Sequence, residues 1–132
     1  MAQHLKRNIL LFSDKVEVKP MSVNQAWQGR KFKSPLYKEY EKEVLLKLHP
    51  HTFTVTGPIE LNLFVGVSNA ASDADNVVKP FVDILQKKYG FNDKFIYRLV
   101  VEKVIVKKGA EFIEFFIKNY EPNHYVLANS EN

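Results

Sequence analysis

The sequence contains no cysteine among its 132 residues. This absence excludes disulfide bonds, thiolate nucleophiles, zinc fingers and iron–sulfur ligation, and it is typical of a reducing compartment. Long apolar runs are missing too. The run at residues 9–12 is among the longest, whereas a membrane span needs about 20 apolar residues. The apolar stretch near the start is also too short for a signal peptide. We therefore expect a cytoplasmic protein with no membrane partner.

Composition indicates a single globular domain, since 45% of the residues are hydrophobic and 26% are charged. The 19 Lys and Arg against 15 Asp and Glu leave a formal charge of +4, a mild bias toward polyanions. The charges are segregated. Residues 28–38 carry four basic side chains and no acid, and residues 73–83 carry three Asp and one Lys. Such segregation is typical of an enzyme that binds phosphates through its basic segment and a cation through its acidic segment.

The first half of the chain alternates strand, loop and helix signals. Residues 9–12 and 16–18 predict two strands, or one strand continued after a bulge between them. Residues 19–34 have the composition of a loop. The pair Ser34-Pro35 is a helix start, because Ser caps free N–H groups and Pro fits the first turn. Pro50 ends that helix.

The second half predicts strand, helix and hairpin. Residues 59–67 alternate apolar and polar side chains, which indicates a central strand. A helix follows from residues 75–76 until Gly90, a residue suited to the left-handed position after a helix. Residues 95–106 and 111–118 are strongly β-like, and a Gly-containing turn between them predicts a hairpin.

These elements predict an α+β fold in which a small mixed β-sheet is covered by two helices, in the order β(β)-α-β-α-β-β. We expect one domain over residues 1–118, followed by a polar tail at 119–132.

The residues with the clearest chemistry flank the second predicted helix. Asp73 and Asp75 follow the central strand, Lys79 and Asp83 continue the helical face of Asp75, and Asp93 precedes the next strand. Three converging carboxylates would need a cation, and hard oxygen ligands suit Mg²⁺ or Mn²⁺. Such an ion can activate water and polarise a phosphodiester. A nearby lysine can stabilise transition-state charge.

A structural interpretation of the same residues stays open from spacing alone. Asp75 is an ordinary helix cap, and Lys79 is an ordinary partner four residues further on. A calcium-binding EF-hand is excluded, because counting from Asp73 the sixth position is Val78 rather than Gly and the twelfth is Ile84 rather than Glu.

Three motifs together resemble the RusA-type Holliday junction resolvases, a family of small Mg²⁺-dependent endodeoxyribonucleases of bacteria and phages. The resemblance spans roughly residues 16–118. Its motifs are Pro20-x-Ser22-x-Asn24, then Asp73-x-Asp75-Asn76-x-x-Lys79-x-x-x-Asp83-x-Leu85, then Gly90-x-Asn92-Asp93.

The resemblance implies a RusA-like fold and a nuclease site. In that site Asp73, Asp75 and Asp93 match the metal-binding acids and Lys79 matches the catalytic lysine. The implied cofactor is Mg²⁺, with Mn²⁺ as a substitute, and the implied partners are branched DNA and a second copy of the chain. The supporting positions are Asn76, Asp83 and Asn92. Asn92 departs from the family pattern, because it replaces the first Asp of an Asp-Asp pair and so loses a charge.

The predicted function is therefore resolution of four-way DNA junctions by paired phosphodiester hydrolysis, in recombination and repair. Candidate DNA contacts are Asn24, Arg30, Lys31 and Lys33; a turn residue and a solvated loop are the alternatives for these positions. A second hypothesis is a non-catalytic branched-DNA-binding protein of the same fold, although binding alone would favour the loss of acids near phosphates. A third, a nucleotide phosphohydrolase, lacks a Gly-rich phosphate cradle.

Overall fold

The computed structural model describes residues 9–22, 27–28 and 32–122 of the chain. Two α-helices, six β-strands and two short 3₁₀ turns lie within these ranges. In chain order they are β1 (Leu10–Val16), β2 (Trp27–Gln28), β3 (Phe32–Lys33), α1 (Pro35–Lys47), β4 (Ile59–Val67), the first 3₁₀ turn (Ala74–Val77), α2 (Val78–Tyr89), the second 3₁₀ turn (Asp93–Phe95), β5 (Ile96–Ile105) and β6 (Phe112–Asn119).

Four of these strands form one mixed sheet in the order β1-β6-β4-β5. β6 runs antiparallel to both β1 and β4, whereas β4 and β5 are parallel. A parallel pair cannot be joined by a tight turn, and here α2 supplies the crossover that returns the chain to the same end of the sheet. β4 is thus central, as its alternating pattern predicted.

The predicted hairpin of the last two strands is wrong. The turn itself forms, because the Ala110 N–H donates to the Lys107 carbonyl at 3.0 Å and Gly109 takes a φ of 94°. However, the strands on either side of it are separated by β4. β4 buries its whole core face and has partners on both edges, whereas β5 is largely exposed and forms the sheet edge.

Both helices begin and end close to the residues that the local signals indicate. The Ser34 side chain accepts a hydrogen bond from the Tyr37 N–H at 3.1 Å, with Pro35 as the first helical residue. α2 is preceded by the first 3₁₀ turn, so the helical segment begins close to the predicted position. Gly90 ends α2 with a φ of 75°, and Pro80 lies in its first turn, where a missing N–H costs least.

The N-terminal region departs from the predicted pattern in two places. β1 is one strand, as one of the two alternatives predicted, but its irregularity lies between Leu10 and Phe12 rather than at the predicted bulge of Ser13-Asp14. Within the predicted loop at 19–34, β2 and β3 form a two-residue antiparallel pair.

The core lies between one face of the sheet and the two helices. α1 contributes Tyr37, Tyr40 and Val44, and α2 contributes Phe81 and Leu85, all buried. They pack over the inward side chains of β4 and β6, whose buried members include Ile59, Leu61, Leu63, Val65, Ile113, Phe115 and Ile117. This arrangement confirms the predicted α+β class. Within the described ranges, no helix is long and apolar enough to cross a membrane.

Gly66 marks a close approach near the carboxyl end of β4. It is paired with Phe112 of β6, and a Cβ atom built on Gly66 would overlap the Phe112 ring. The ring therefore occupies the space that any other side chain would need, which brings β6 tightly against β4.

We predict that Gly66→Ala lowers the free energy of unfolding by roughly 1–3 kcal/mol, the usual cost of overpacking a filled site. Urea denaturation measures this. Gly57→Ala is the matched control, because a Cβ there meets nothing within 4 Å. The double variant Gly66→Ala/Phe112→Ala should recover part of the loss relative to the sum of the single changes. Equal stability of the two glycine variants would contradict the close-packing argument.

Candidate active site

Two carboxylates lie together where the chain leaves β4. Asp73 precedes the first 3₁₀ turn and Asp75 lies within it. The Asn76 side-chain amide donates to Asp73 at 3.1 Å. Contact with the Asp75 carboxylate raises the pKa of Asp73 above its ordinary value, first through a shared hydrogen bond and then through charge repulsion, and Lys103 offsets part of this rise. Both side chains are solvent-exposed.

The loop that delivers these acids is held in place from two sides. The Asn69 side chain accepts from the Ala71 N–H at 2.9 Å, and the Asn69 carbonyl accepts from the Ser72 N–H at 2.9 Å. From β5, the Lys103 ammonium donates to the carbonyls of Ala70 and Ser72 at 2.6 and 3.0 Å. Lys103 thus ties the loop to the sheet through backbone carbonyls and leaves the carboxylates free to bind a cation.

A second group of site residues lies along α2. The Lys79 ammonium is 3.2 Å from the Asp83 carboxylate, a salt bridge one helical turn long. The Gln86 side chain donates to Asp83 at 3.5 Å and accepts from the Asp93 N–H at 2.9 Å. Lys79, Asp83 and Asp93 line one open cleft between α2 and β5. Gln86 therefore connects the helix to the turn that carries Asp93.

Asn92 has a local structural role. Its side-chain oxygen accepts from the Lys94 N–H at 2.9 Å and so caps the second 3₁₀ turn. An Asp at this position could accept the same bond, so the substitution seen in this chain preserves the turn while removing a negative charge beside Asp93.

One chain places its acids at two separate ends of the sheet. In the parallel register, Ile59 is opposite Ile96 and Val67 is opposite Ile105. Asp73 and Asp75 follow the carboxyl end of β4, whereas Asp93 precedes the amino end of β5. A nine-residue strand spans roughly 30 Å. Accordingly, the described residues contain no group of three acidic or histidine side chains that could hold a metal ion.

Asp73 and Asp75 nevertheless fit part of a divalent-cation site. They offer hard oxygen donors of the kind that Mg²⁺ and Mn²⁺ prefer. Charge repulsion between them contributes, after a shared hydrogen bond, to the raised pKa of Asp73, and a bound cation would relieve that repulsion. The pair supplies one side of such a site, and the remaining ligands must come from elsewhere.

The predicted DNA contacts are only partly within the described residues. Lys33 is bonded to Glu41 of α1 at 3.0 Å, and Lys87 of α2 approaches the same carboxylate at 3.3 Å. Glu41 therefore connects the end of the basic segment to α2 as well as to α1. Asn24, Arg30 and Lys31 lie outside the described residues.

Comparison with known families identifies the family to which this chain belongs. The family profile described as endodeoxyribonuclease RusA matches residues 16–115. The chain therefore belongs to the RusA endodeoxyribonuclease family, whose members are hydrolases that cut DNA. A search of curated proteins gave no match. The match runs from the last residue of β1 into the first half of β6 and includes both acidic turns, so the resemblance drawn from the sequence motifs is confirmed.

Two residues that sequence reasoning missed organise the site, Gln86 and Lys103. Gln86 is three residues beyond Asp83, a spacing that brings side chains together on a helix. Lys103 gives no local signal, because its partners are 33 and 31 residues away along the chain.

We predict that Lys103→Met loosens the loop before Asp73. Amide hydrogen exchange at Ala71 and Ser72 should accelerate about three- to tenfold, since a charged hydrogen bond at an exposed site contributes roughly 1 kcal/mol. Lys107→Met, an exposed lysine near the same end of the sheet, is the control and should leave these amides unchanged. Unaltered exchange in Lys103→Met would show that the loop does not depend on this tether.

Proposed function

We propose that the protein is a divalent-metal-dependent endodeoxyribonuclease that resolves four-way DNA junctions during recombination and repair. The observation that carries this proposal is the exposed Asp73–Asp75 pair, set at the end of the central strand of a RusA-family fold. Asp73 and Asp75 would hold Mg²⁺, with Mn²⁺ as a substitute. The bound ion would supply an activated water and neutralise charge on the phosphate.

The chain's own side chains position the reaction around this pair. Lys79, exposed at the start of α2, is the cation available to stabilise charge developing on the scissile phosphate. Asp83 holds the Lys79 ammonium at 3.2 Å and so limits its range of positions. Asn76 orients the Asp73 carboxylate.

A homodimer would complete the site, because Asp93 does not reach the acid pair within one chain. β5 is a ten-residue edge strand with exposed apolar side chains at Tyr97, Leu99 and Ile105. Free strand edges of this kind favour pairing with another chain. Antiparallel pairing of β5 with its copy would set Ile96 near the partner's Ile105. Asp93 would then lie at the end of the sheet that bears the partner's Asp73.

The same symmetry matches the substrate. A two-fold axis through paired β5 strands generates two equivalent acid clusters. A four-way junction presents two equivalent strands, so each cluster would cut one of them. Pairing of two copies through the other edge strand, β1, would also give a dimer. In that dimer Asp93 would remain remote from both acid pairs.

A cleavage assay tests the proposed activity. We expect paired nicks in opposed strands of a synthetic four-way junction in Mg²⁺, none in EDTA, and little cutting of the duplex arms alone. Asp75→Asn should abolish cleavage while junction binding persists, since a ligand charge is lost but phosphate repulsion falls. Lys79→Ala should slow single-turnover cleavage by about 10²–10³-fold. Lys87→Ala, on the same helix, is its control.

The assay also separates the competing hypotheses. Tight junction binding by the unaltered protein without cleavage in Mg²⁺ or Mn²⁺ would favour the non-catalytic binding protein. Release of phosphate from nucleotides without nicking would favour the phosphohydrolase.

We predict that mixing two inactive variants restores cleavage if the site is shared. In a heterodimer of Asp73→Asn and Asp93→Asn subunits, one site combines both changes, whereas the other combines an intact Asp73 with an intact Asp93 from its partner. Such dimers should make single nicks in the junction. If each site used one chain alone, every heterodimer would be inactive, and the absence of nicking after subunit exchange would exclude the shared arrangement.

A further inference from the structure

A polar groove leads away from the acid pair and shares no lining residue with the cleft that contains Lys79. One half, of about 380 Å³, is lined by residues that include Ser68, Asn69 and Lys108. The other half, of about 250 Å³, is lined by residues that include Asp73 and Asn76. Lys19, Pro20, Val67 and Ser72 line both halves. The groove is therefore continuous from the turn at residues 107–110 to Asp73.

Two lysines supply the positive charge of this groove. Lys19 follows β1 and Lys108 lies in the turn before β6, and both are exposed. The half of the groove that holds Lys108 also contains the Glu111 carboxylate, and the other half ends at the Asp73 carboxylate. Glu111 already accepts from the Gly109 N–H at 2.8 Å. Its pKa is lowered first by a hydrogen bond from its own backbone N–H, and also by Gly109, Ser68 and Lys19. Glu111 is thus engaged by the turn, and in this half of the groove two ammonium groups face a single carboxylate.

The remaining lining groups suit a nucleic acid backbone. Ser68 and Ser72 bring hydroxyl groups, and Val67 with Pro20 brings apolar surface against which a deoxyribose could pack. Among the described residues that line the groove, none is aromatic, so it offers no platform for stacking a base. Lysine and hydroxyl donors are the groups that proteins use for phosphate contacts without sequence preference.

We propose that this groove binds a backbone phosphate of the strand to be cut, one or two linkages from the scissile phosphate, through Lys19 and Lys108. The inference rests on the proposed function and adds to it a strand path: the strand runs from the turn at residues 107–110, past Ser72, to the acid pair.

Salt dependence of binding tests this path without requiring cleavage. Binding of a synthetic four-way junction is measured in EDTA over a range of NaCl concentrations. For Lys19→Ala/Lys108→Ala, the slope of log K against log salt should fall in magnitude by about 1–2, since each lost phosphate contact contributes about 0.9. Lys107→Ala is the control, because Lys107 belongs to the same turn but does not line the groove. Equal slopes for the double variant and the control would overturn the proposal.

Neutral methylphosphonate linkages locate the contact. When single linkages of the junction are replaced in turn, the unaltered protein should lose affinity at a linkage beside each cut site. The double variant should show no further loss at that same linkage. A loss of equal size in both proteins would assign the contact to other residues and overturn the proposal.

A third variant, which removes a negative charge from the groove, is expected to tighten binding, an effect that a folding defect would not produce. Glu111→Gln retains an oxygen that can accept from the Gly109 N–H but removes the negative charge facing the groove. Junction binding should tighten several-fold at low salt, and an unchanged or weaker affinity would count against a phosphate in this position. Because these measurements use EDTA, a protein that binds as expected but never cuts would refute the nuclease activity while leaving the groove assignment standing.

Discussion

The parallel pairing of β4 with β5 is the constraint on which the site depends. β4 buries an entire face of alternating apolar side chains and has a partner on each edge. A parallel neighbour requires a crossover, and α2 provides it. The segments before and after α2 therefore lie at opposite ends of the sheet. Asp73 and Asp75 belong to one of these ends and Asp93 to the other, although all three acids lie within 21 positions of the chain.

Electrostatics around the acid pair reconcile two opposing needs. A nuclease must concentrate negative charge to bind a cation, yet it must also attract a polyanion. Lys103 bonds backbone carbonyls instead of the carboxylates, so it adds positive charge without neutralising the pair directly. Lys79 is held by Asp83 rather than by the pair. Both lysines thus bring positive charge near the acid pair while they bond to other groups.

Local features were predictable wherever neighbouring residues decide the outcome. Ser34 and Gly90 bound the helices because capping depends on backbone groups within one turn. The alternation of residues 59–67 identified the central strand, since it reflects which side chains face the core. The hairpin prediction failed for a related reason: a Gly-containing turn specifies a change of direction, but it does not specify which strand the returning chain pairs with. The burial of β4 between β6 and β5 decides which strands pair.

The sequence by itself determined the helix limits, the acidic motif and membership of the RusA family, because each of these is carried by residue types at short, regular spacing. Only the tertiary structure decided the strand order, the separation of Asp93 from the acid pair, and the groove between Lys19 and Lys108. These features join distant segments of the chain, such as Leu10 and Lys118 in the pairing of β1 with β6. The strand order and the positions that depend on it follow from the free energy gained when β4 is buried between two neighbouring strands and under the helices. No local pattern of residues encodes that free energy.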